Sequence, residues 1–247
     1  LLMGAKDGTV HLSHDAGATE TRGIVHGSQL VGATLRTDGA TVATAGADGY
    51  VRVWDTATGA RLLEVRAGLG LTSVALDPTG HLVAAGVGPT IAIYDAGTGK
   101  QLGVLAGHTD TVTGVAFSPD GTLLASSSRD RDARVWDPKA LKLVRLLRRH
   151  TAFVSGVAFS PDGRWLATAG PSKAGIWAVR QSDLPGSFLQ FVRGNTTPIA
   201  AVAFSSRGWE LATAARDGSI RIAACKLCGG LHELQSYANA RLANLRP

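Results

Sequence analysis

The sequence predicts an all-β chain folded as a β-propeller, with about six blades touched, truncated from seven, and a short C-terminal helix. Three observations lead there. The motif VAFSPDG stands whole at 115–121 and 157–163, with looser copies VAFSSRG at 202–208, ATLRTDG at 33–39 and VALDPTG at 74–80. Its central residues Leu35, Leu76, Phe117, Phe159 and Phe204 are 41, 41, 42 and 45 residues apart. Each interval holds four short apolar runs separated by turn residues. Four strands in a repeat of this length make a blade, which cannot bury both faces alone and must stack on its neighbours.

The unit around Phe117 shows the elements in order. Residues 112–118 alternate apolar and small side chains and suit an inner strand. Pro119-Asp120-Gly121 is turn chemistry: proline presets φ, aspartate bonds its own backbone, and glycine accepts positive φ. Runs at 123–127, 133–136 and 142–147 supply the second, third and fourth strands. The first unit offers a second strand (2–5), a third (10–13) and a fourth (19–25), but no inner strand. The last offers an inner (199–205), a second (210–214) and a third (220–224). The missing strands belong to different blades, so the two ends do not complement each other simply. With Leu1-Leu2 opening the chain and no initiator Met before them, the expectation is a piece of a longer protein with blade material upstream.

The units resemble WD40 repeats over roughly residues 2–224, taken as the propeller domain, with 225–247 as a separate tail. That family often shares a hydrogen-bonded tetrad in each blade: His, Ser or Thr, Asp and Trp. The resemblance implies that the carboxylate accepts from the imidazole, the imidazole bonds the hydroxyl, and the hydroxyl bonds the indole N–H, satisfying buried polar groups in series. His26, Thr44, Asp48 and Trp54 match all four positions, as do His108, Ser126, Asp130 and Trp136. His150, Thr168 and Trp177 form a partial set, with Pro171-Ser172-Lys173 where the Asp should stand. The last unit keeps Thr213 and Asp217 but has Asn195 and Ala223; the unit ending in Tyr94-Asp95 has lost the rest, and the first keeps only Asp7. These sets look like catalytic triads, but their repetition assigns them to the fold, and no catalytic residue is expected.

Bulk properties agree. The chain has 247 residues, 45% hydrophobic and 18% charged, enough for a packed all-β array. No run of eighteen apolar residues occurs, which excludes a membrane-crossing helix, and no secretory leader pattern is present. Two cysteines rule out a disulfide framework, and a cytoplasmic location is expected. The net charge of +6 is spread along the chain. Its densest part, 139–150, carries Lys142, Arg145, Arg148 and Arg149 in an alternating pattern that suits an outer strand protected against edge pairing. With 6% aromatic content and no interleaved aromatics, single-stranded nucleic-acid stacking is not expected.

After Ala224 the pattern changes. Cys225-Lys-Leu-Cys228 and two glycines precede a stretch in which Leu231, Leu234, Ala238, Leu242 and Leu245 recur at helical spacing, with Arg241 and Arg246 suited to a helix C-terminus. Zinc would need four ligands, and only His232 is nearby; no metal or cofactor is expected. A redox pair lacks the usual strand-helix context, so two small residues finishing a strand remain the plainest reading. The tail is similar to the ends of WD-repeat arrays in large actinobacterial regulators, where the array follows a STAND-type nucleotide-hydrolysing module or a kinase. No P-loop or G-x-S-x-G pattern occurs.

The expected function is therefore a non-catalytic scaffold that binds a protein or peptide on one propeller face, as a monomer and away from membranes. A sensor domain of a larger signalling NTPase or kinase is the second reading, and a propeller enzyme the third. Position in the repeat nominates residues just before inner strands or just after second strands: Gln29, Gly46, Leu69, Asp110, Arg129, Ala152, Thr197 and Arg216.

Overall fold

The structure is a computed structural model that describes residues 2–4, 7–12, 22–180, 188–193, 197–208 and 210–225. Among these, twenty-two strands form six antiparallel sheets, four of four strands and two of three. The first sheet comprises β1 (Leu2–Gly4), β2 (Thr9–Leu12) and β3 (Arg22–Val25). The second comprises β4 (Leu30–Leu35), β5 (Thr41–Gly46), β6 (Tyr50–Asp55) and β7 (Arg61–Arg66). The third comprises β8 (Leu71–Leu76), β9 (Leu82–Val87), β10 (Thr90–Asp95) and β11 (Gln101–Leu105). The fourth comprises β12 (Val112–Phe117), β13 (Leu124–Ser128), β14 (Asp132–Asp137) and β15 (Lys142–Arg148). The fifth comprises β16 (Gly156–Phe159), β17 (Trp165–Ala169), β18 (Lys173–Ala178) and β19 (Phe188–Arg193). The sixth comprises β20 (Ile199–Phe204), β21 (Glu210–Ala215) and β22 (Ile220–Ala224).

Strand order within each sheet follows the chain, so each is a meander from inner to outer edge. The first strands of successive sheets are neighbours: β1 lies against β4, β4 against β8, β8 against β12, β12 against β16 and β16 against β20. This is a propeller-like array of blades. The predicted strands of the Phe117 unit are present with ends displaced by one residue. The inner strand stops at Phe117 because Ser118 turns: its Oγ accepts the Leu123 N–H at 2.9 Å and donates to Asp120 at 2.7 Å. In the first unit, 19–21 lie outside the described residues and β3 begins at Arg22. The predicted C-terminal helix, Cys228 and Asn195 also lie outside them; Cys225 is buried at the end of β22.

One apolar layer fills each space between sheets, and the third-strand aromatic of the later sheet sits in most of them. Trp54 packs with Val42 against Val10, Leu12 and Ile24 of the first sheet. Tyr94 closes the layer between the second and third sheets with Val51, Val53, Leu71 and Val83. Trp136 meets Ile91, Ile93 and Leu105. Trp177 meets Ala125, Val135 and Leu147. Alternate residues of one strand point to opposite layers, so Val42 and Ala43 belong to different clusters. Middle strands are thereby buried on both sides, as β9 and β13 are for nearly their whole length. The sixth sheet differs. Leu211 and Ile199 pack on the fifth, but Ile220 and Ile222 are 71% and 70% exposed. They occupy the register held by Val51 and Val53 in the second sheet, where a following sheet covers them.

Two sets of bonds tie blades together. In the first, Val112 N–H donates to Gly88 at 2.7 Å, Val154 N–H to Ser128 at 3.0 Å, and Ile199 N–H to Gly170 at 3.4 Å. In the second, Arg180 donates to Asp120 at 2.5 Å and Thr122 at 2.6 Å, spanning the fifth and fourth sheets. Burial pushes the Asp120 carboxyl up, but Arg180, Ser118 and Thr122 outweigh it and hold the group well below the usual range.

Close approach makes some turn glycines obligatory. Gly49 has φ of +83°, and a Cβ there would lie 2.8 Å from the Gly68 carbonyl oxygen of the next connection. Gly59 has a similar φ of +75° but open space around it. Gly59→Ala should therefore cost only the left-handed backbone penalty, about 1 kcal/mol. Gly49→Ala should cost about 3 kcal/mol, because backbone must also move. Urea unfolding of the two variants checks the difference; equal midpoints would rule out the backbone clash.

Candidate functional site

Three buried networks occupy the predicted tetrad positions, each built on a strand-two hydroxyl held between two rings. In the fourth sheet His108 Nδ1 lies 2.7 Å from Asp130 Oδ2, and His108 Nε2 lies 2.8 Å from Ser126 Oγ. Trp136 Nε1–H donates to the same oxygen at 2.8 Å. Asp130 is an acceptor, so the proton sits on Nδ1, and Nε2 accepts from the serine hydroxyl. These are the separations of a Ser-His-Asp nucleophile. Yet Ser126 is 0% exposed and its oxygen already accepts the indole N–H, so no substrate reaches it. Burial lowers the His108 pKa, opposed by Asp130. Burial raises that of Asp130, but His108 and the N–H groups of Asp132 and Thr109 bring it down to about 2.

The second sheet holds a matching set, with threonine for serine and the ring reversed. His26 Nδ1 meets Thr44 Oγ1 at 2.7 Å, and Trp54 Nε1–H donates to that oxygen at 2.8 Å. His26 Nε2 lies 2.5 Å from Arg52 Nη1. A guanidinium only donates, so Nε2 is an acceptor and the proton is on Nδ1. Asp48 then acts on the ring chiefly through Arg52, which it binds at 2.8 Å; its own oxygen is 3.3 Å from Nε2. The expected direct relay from carboxylate to imidazole is thus corrected here. Burial raises the Asp48 pKa, and Arg52 with the Tyr50 N–H brings it down to about 2.

Sequence reasoning missed the two arginines. Arg134 donates to Asp130 at 2.9 Å, buried like its partner. The signal was present: Arg-Val-Trp-Asp occurs at 52–55 and 134–137, with the arginine four residues after each tetrad aspartate. In a strand-turn-strand hairpin that spacing returns the side chain to the turn carboxylate.

The fifth sheet shows what losing the aspartate does. His150 Nε2 meets Thr168 Oγ1 at 2.7 Å, and Trp177 Nε1–H donates to it at 2.9 Å. Thr168 and Trp177 are nine residues apart, where the other pairs are ten, so the turn is shorter. His150 Nδ1 is buried with no partner among the described residues. Burial, helped by Lys173, pushes its pKa from 6.5 down to about 4. In the third sheet Ala85 replaces the hydroxyl and packs with Tyr94 in an apolar layer.

The nominated partner-binding residues separate into groups. Arg129, Ala152 and Arg216 line one cavity of about 1040 Å³ at the starting ends of the inner strands, with Arg131, Phe153 and Thr111. Gln29, Asp110 and Leu69 are exposed, Leu69 at 76%, and Thr197 is half-buried; none of these four lines it. Gly46 is corrected outright: it is buried, and a Cβ there would lie 2.2 Å from His26 Nε2 and 2.5 Å from Asp48 Oδ1. It makes room for a tetrad and offers no surface. A second, more apolar cavity of about 460 Å³ lies at the finishing ends, lined by Leu35, Leu76, Phe117, Phe159 and Pro119 among others.

Comparison with known proteins follows this geometry. The WD40 family (WD domain, G-beta repeat) matches residues 24–55, 99–137 and 141–177, which contain all three tetrad networks. A periodic tryptophan protein 2 homolog of Neurospora crassa is 44% identical over 70 residues, 28% of this chain and 8% of that protein. The target of rapamycin complex subunit wat1 of Schizosaccharomyces pombe is 32% identical over 106 residues, 41% of this chain and 33% of that protein. WD repeat-containing protein 18 of Rattus norvegicus is 34% identical over 122 residues, 43% of this chain and 28% of that protein. The matched region thus spans a third or less of each of these relatives. They are eukaryotic, and none supports the actinobacterial regulator context that the tail suggested.

Two outcomes follow. Ser126→Ala leaves Trp136 N–H and His108 Nε2 buried without partners and should cost about 3 kcal/mol in urea unfolding; a loss under about 0.5 kcal/mol would show that the hydroxyl is not structural. The folded pKa of His150 lies below its unfolded value, so the unfolded chain takes up the proton first and stability falls as pH drops from about 6.5 to about 4. The full loss is about 3 kcal/mol. His150→Gln should flatten that part of the stability-against-pH curve, and an unchanged slope would assign it to other groups.

Proposed function

We propose that this chain, which carries WD40 repeats, is a non-catalytic scaffold whose binding face is the cavity at the starting ends of its inner strands. One observation carries the reading: five of the six sheets send inner-strand starts or adjoining turns to a single opening, while the hydroxyl-His-Asp sets that could suggest catalysis are sealed inside blades. Rigid walls with variable connections on top are how repeat folds present a partner site. A relative that is named as a subunit of a complex agrees with it. The partner is a protein or peptide, and the chain acts as a monomer in the cytoplasm, away from membranes and without a nucleic-acid role.

The register-matched, uncovered Ile220 and Ile222 favour a further blade beyond β22 in the intact protein. That leaves room for the second reading, in which the array is the sensor end of a larger NTPase or kinase; only the tail motif supports it.

Ala152→Trp narrows the opening without changing charge. Cross-linking mass spectrometry on the intact protein should place partner contacts at the opening, and the variant should retain the partner at least tenfold less with an unchanged unfolding midpoint. Contacts confined to outer strands, or retention unaffected by the tryptophan, would sink the proposal.

A further inference from the structure

The opening carries an unbalanced charge. Three guanidinium groups line it: Arg129 and Arg131, which follow β13, and Arg216, which follows β21. The fifth sheet stands between them, so they approach from different blades. Arg36, Arg52, Arg61, Arg134, Arg148 and Arg180 each have a carboxylate within 4 Å, but these three have none among the described residues. Among the described residues, no Asp or Glu lines the cavity. Asp110, beside it in sequence, has its carboxylate on the Thr111 N–H at 2.6 Å.

Arg131 also holds a backbone conformation that suits glycine. Its φ is +76°, in the turn position where Gly8, Gly49 and Gly218 have φ of +88°, +83° and +84°. An L side chain there is unfavourable, and the arginine offers the fold no ion pair in return. Phe153 provides an aromatic surface between the charges, with the Arg216 guanidinium 5.9 Å from its ring centre. Thr111 and Thr151 add hydroxyls to the wall.

We infer that this opening binds an acidic peptide segment, with Arg129, Arg131 and Arg216 receiving its carboxylates and Phe153 packing against its backbone or an apolar side chain. Arginine suits this because its planar fork pairs two-pronged with carboxylates. The volume, at the upper end of the range of ligand pockets, accommodates several residues of extended chain. The inference rests on the reading of this opening as the binding face and adds its chemistry.

Fluorescence anisotropy on the full chain tests it, with labelled twelve-residue peptides: one alternating Glu and Gly, one alternating Ser and Gly, and an oligothymidylate as a non-peptide polyanion. The acidic peptide should bind at least tenfold more tightly than the neutral one, and more weakly as salt rises. Arg129→Glu with Arg216→Glu should abolish the preference. Lys142→Glu with Arg145→Glu, on the outer strand β15, should leave it within twofold. Arg131→Gly should weaken binding about fivefold and raise the unfolding midpoint, a combination that a structural role would not produce. Equal loss from the outer pair, tighter binding of the oligothymidylate, or no preference for the acidic peptide would overturn the inference. If Ala152→Trp blocks a captured partner while the arginine variants do not, the scaffold reading stands and the acidic-peptide inference falls.

Discussion

Everything in this chain depends on burying two faces of every sheet. A four-stranded sheet of small and β-branched residues is apolar on both sides, and neither side can meet water without large cost. Stacking supplies the second to fifth sheets with two neighbours each, and one aromatic from the later sheet fills most gaps: Trp54, Tyr94, Trp136 or Trp177. The inner-to-outer meander follows, because consecutive strands pair locally and the chain leaves each blade at its outer edge.

Tryptophan brings a polar atom into those layers. Its N–H must be satisfied where no water reaches. Ser126, Thr44 and Thr168 accept it, and a histidine completes each hydroxyl's bonding. Where the aromatic is Tyr94, no hydroxyl stands beneath it and the layer is simply apolar. The polar networks therefore follow from the packing solution. The same logic gives a Ser-His-Asp set with triad spacing a structural use: its buried serine oxygen is committed to the indole. Two tetrads that differ only in threonine or serine reach satisfaction by different routes, one through Nδ1 to Asp130 and the other through Arg52. The choice depends on where the arginine lies, and that is set by the hairpin as a whole.

A rigid wall of stacked sheets leaves variation to the connections, and there the chain departs from its own pattern. Arg131 stands where other blades have glycine, and three arginines without carboxylates share one opening. Beside the tetrads Arg52 and Arg134 are balanced against aspartate, which makes the contrast physical: charges next to the buried networks are neutralised because burial demands it, and charges at the opening are not because solvent or a partner can serve them.

The sequence by itself determined the repeat, the four strands of each blade, the tetrad members and the residues that turn the chain. All of these are local: a spacing of about 41 residues, an alternation of two, or a Pro-Asp-Gly turn needs no knowledge of neighbours. Three tertiary facts were illegible. Gly46, nominated as surface, is buried because His26 returns from twenty residues earlier to fill the space above it. The reversed ring of His26 depends on Arg52 across the hairpin. Only three of the eight nominated surface residues meet at one opening, because a position in the repeat fixes the end of a blade but not the direction of a side chain. The sequence determined what each blade is made of. The tertiary structure decided which faces are covered, which charges are balanced and where the unbalanced ones converge, since those depend on contacts between residues far apart in the chain.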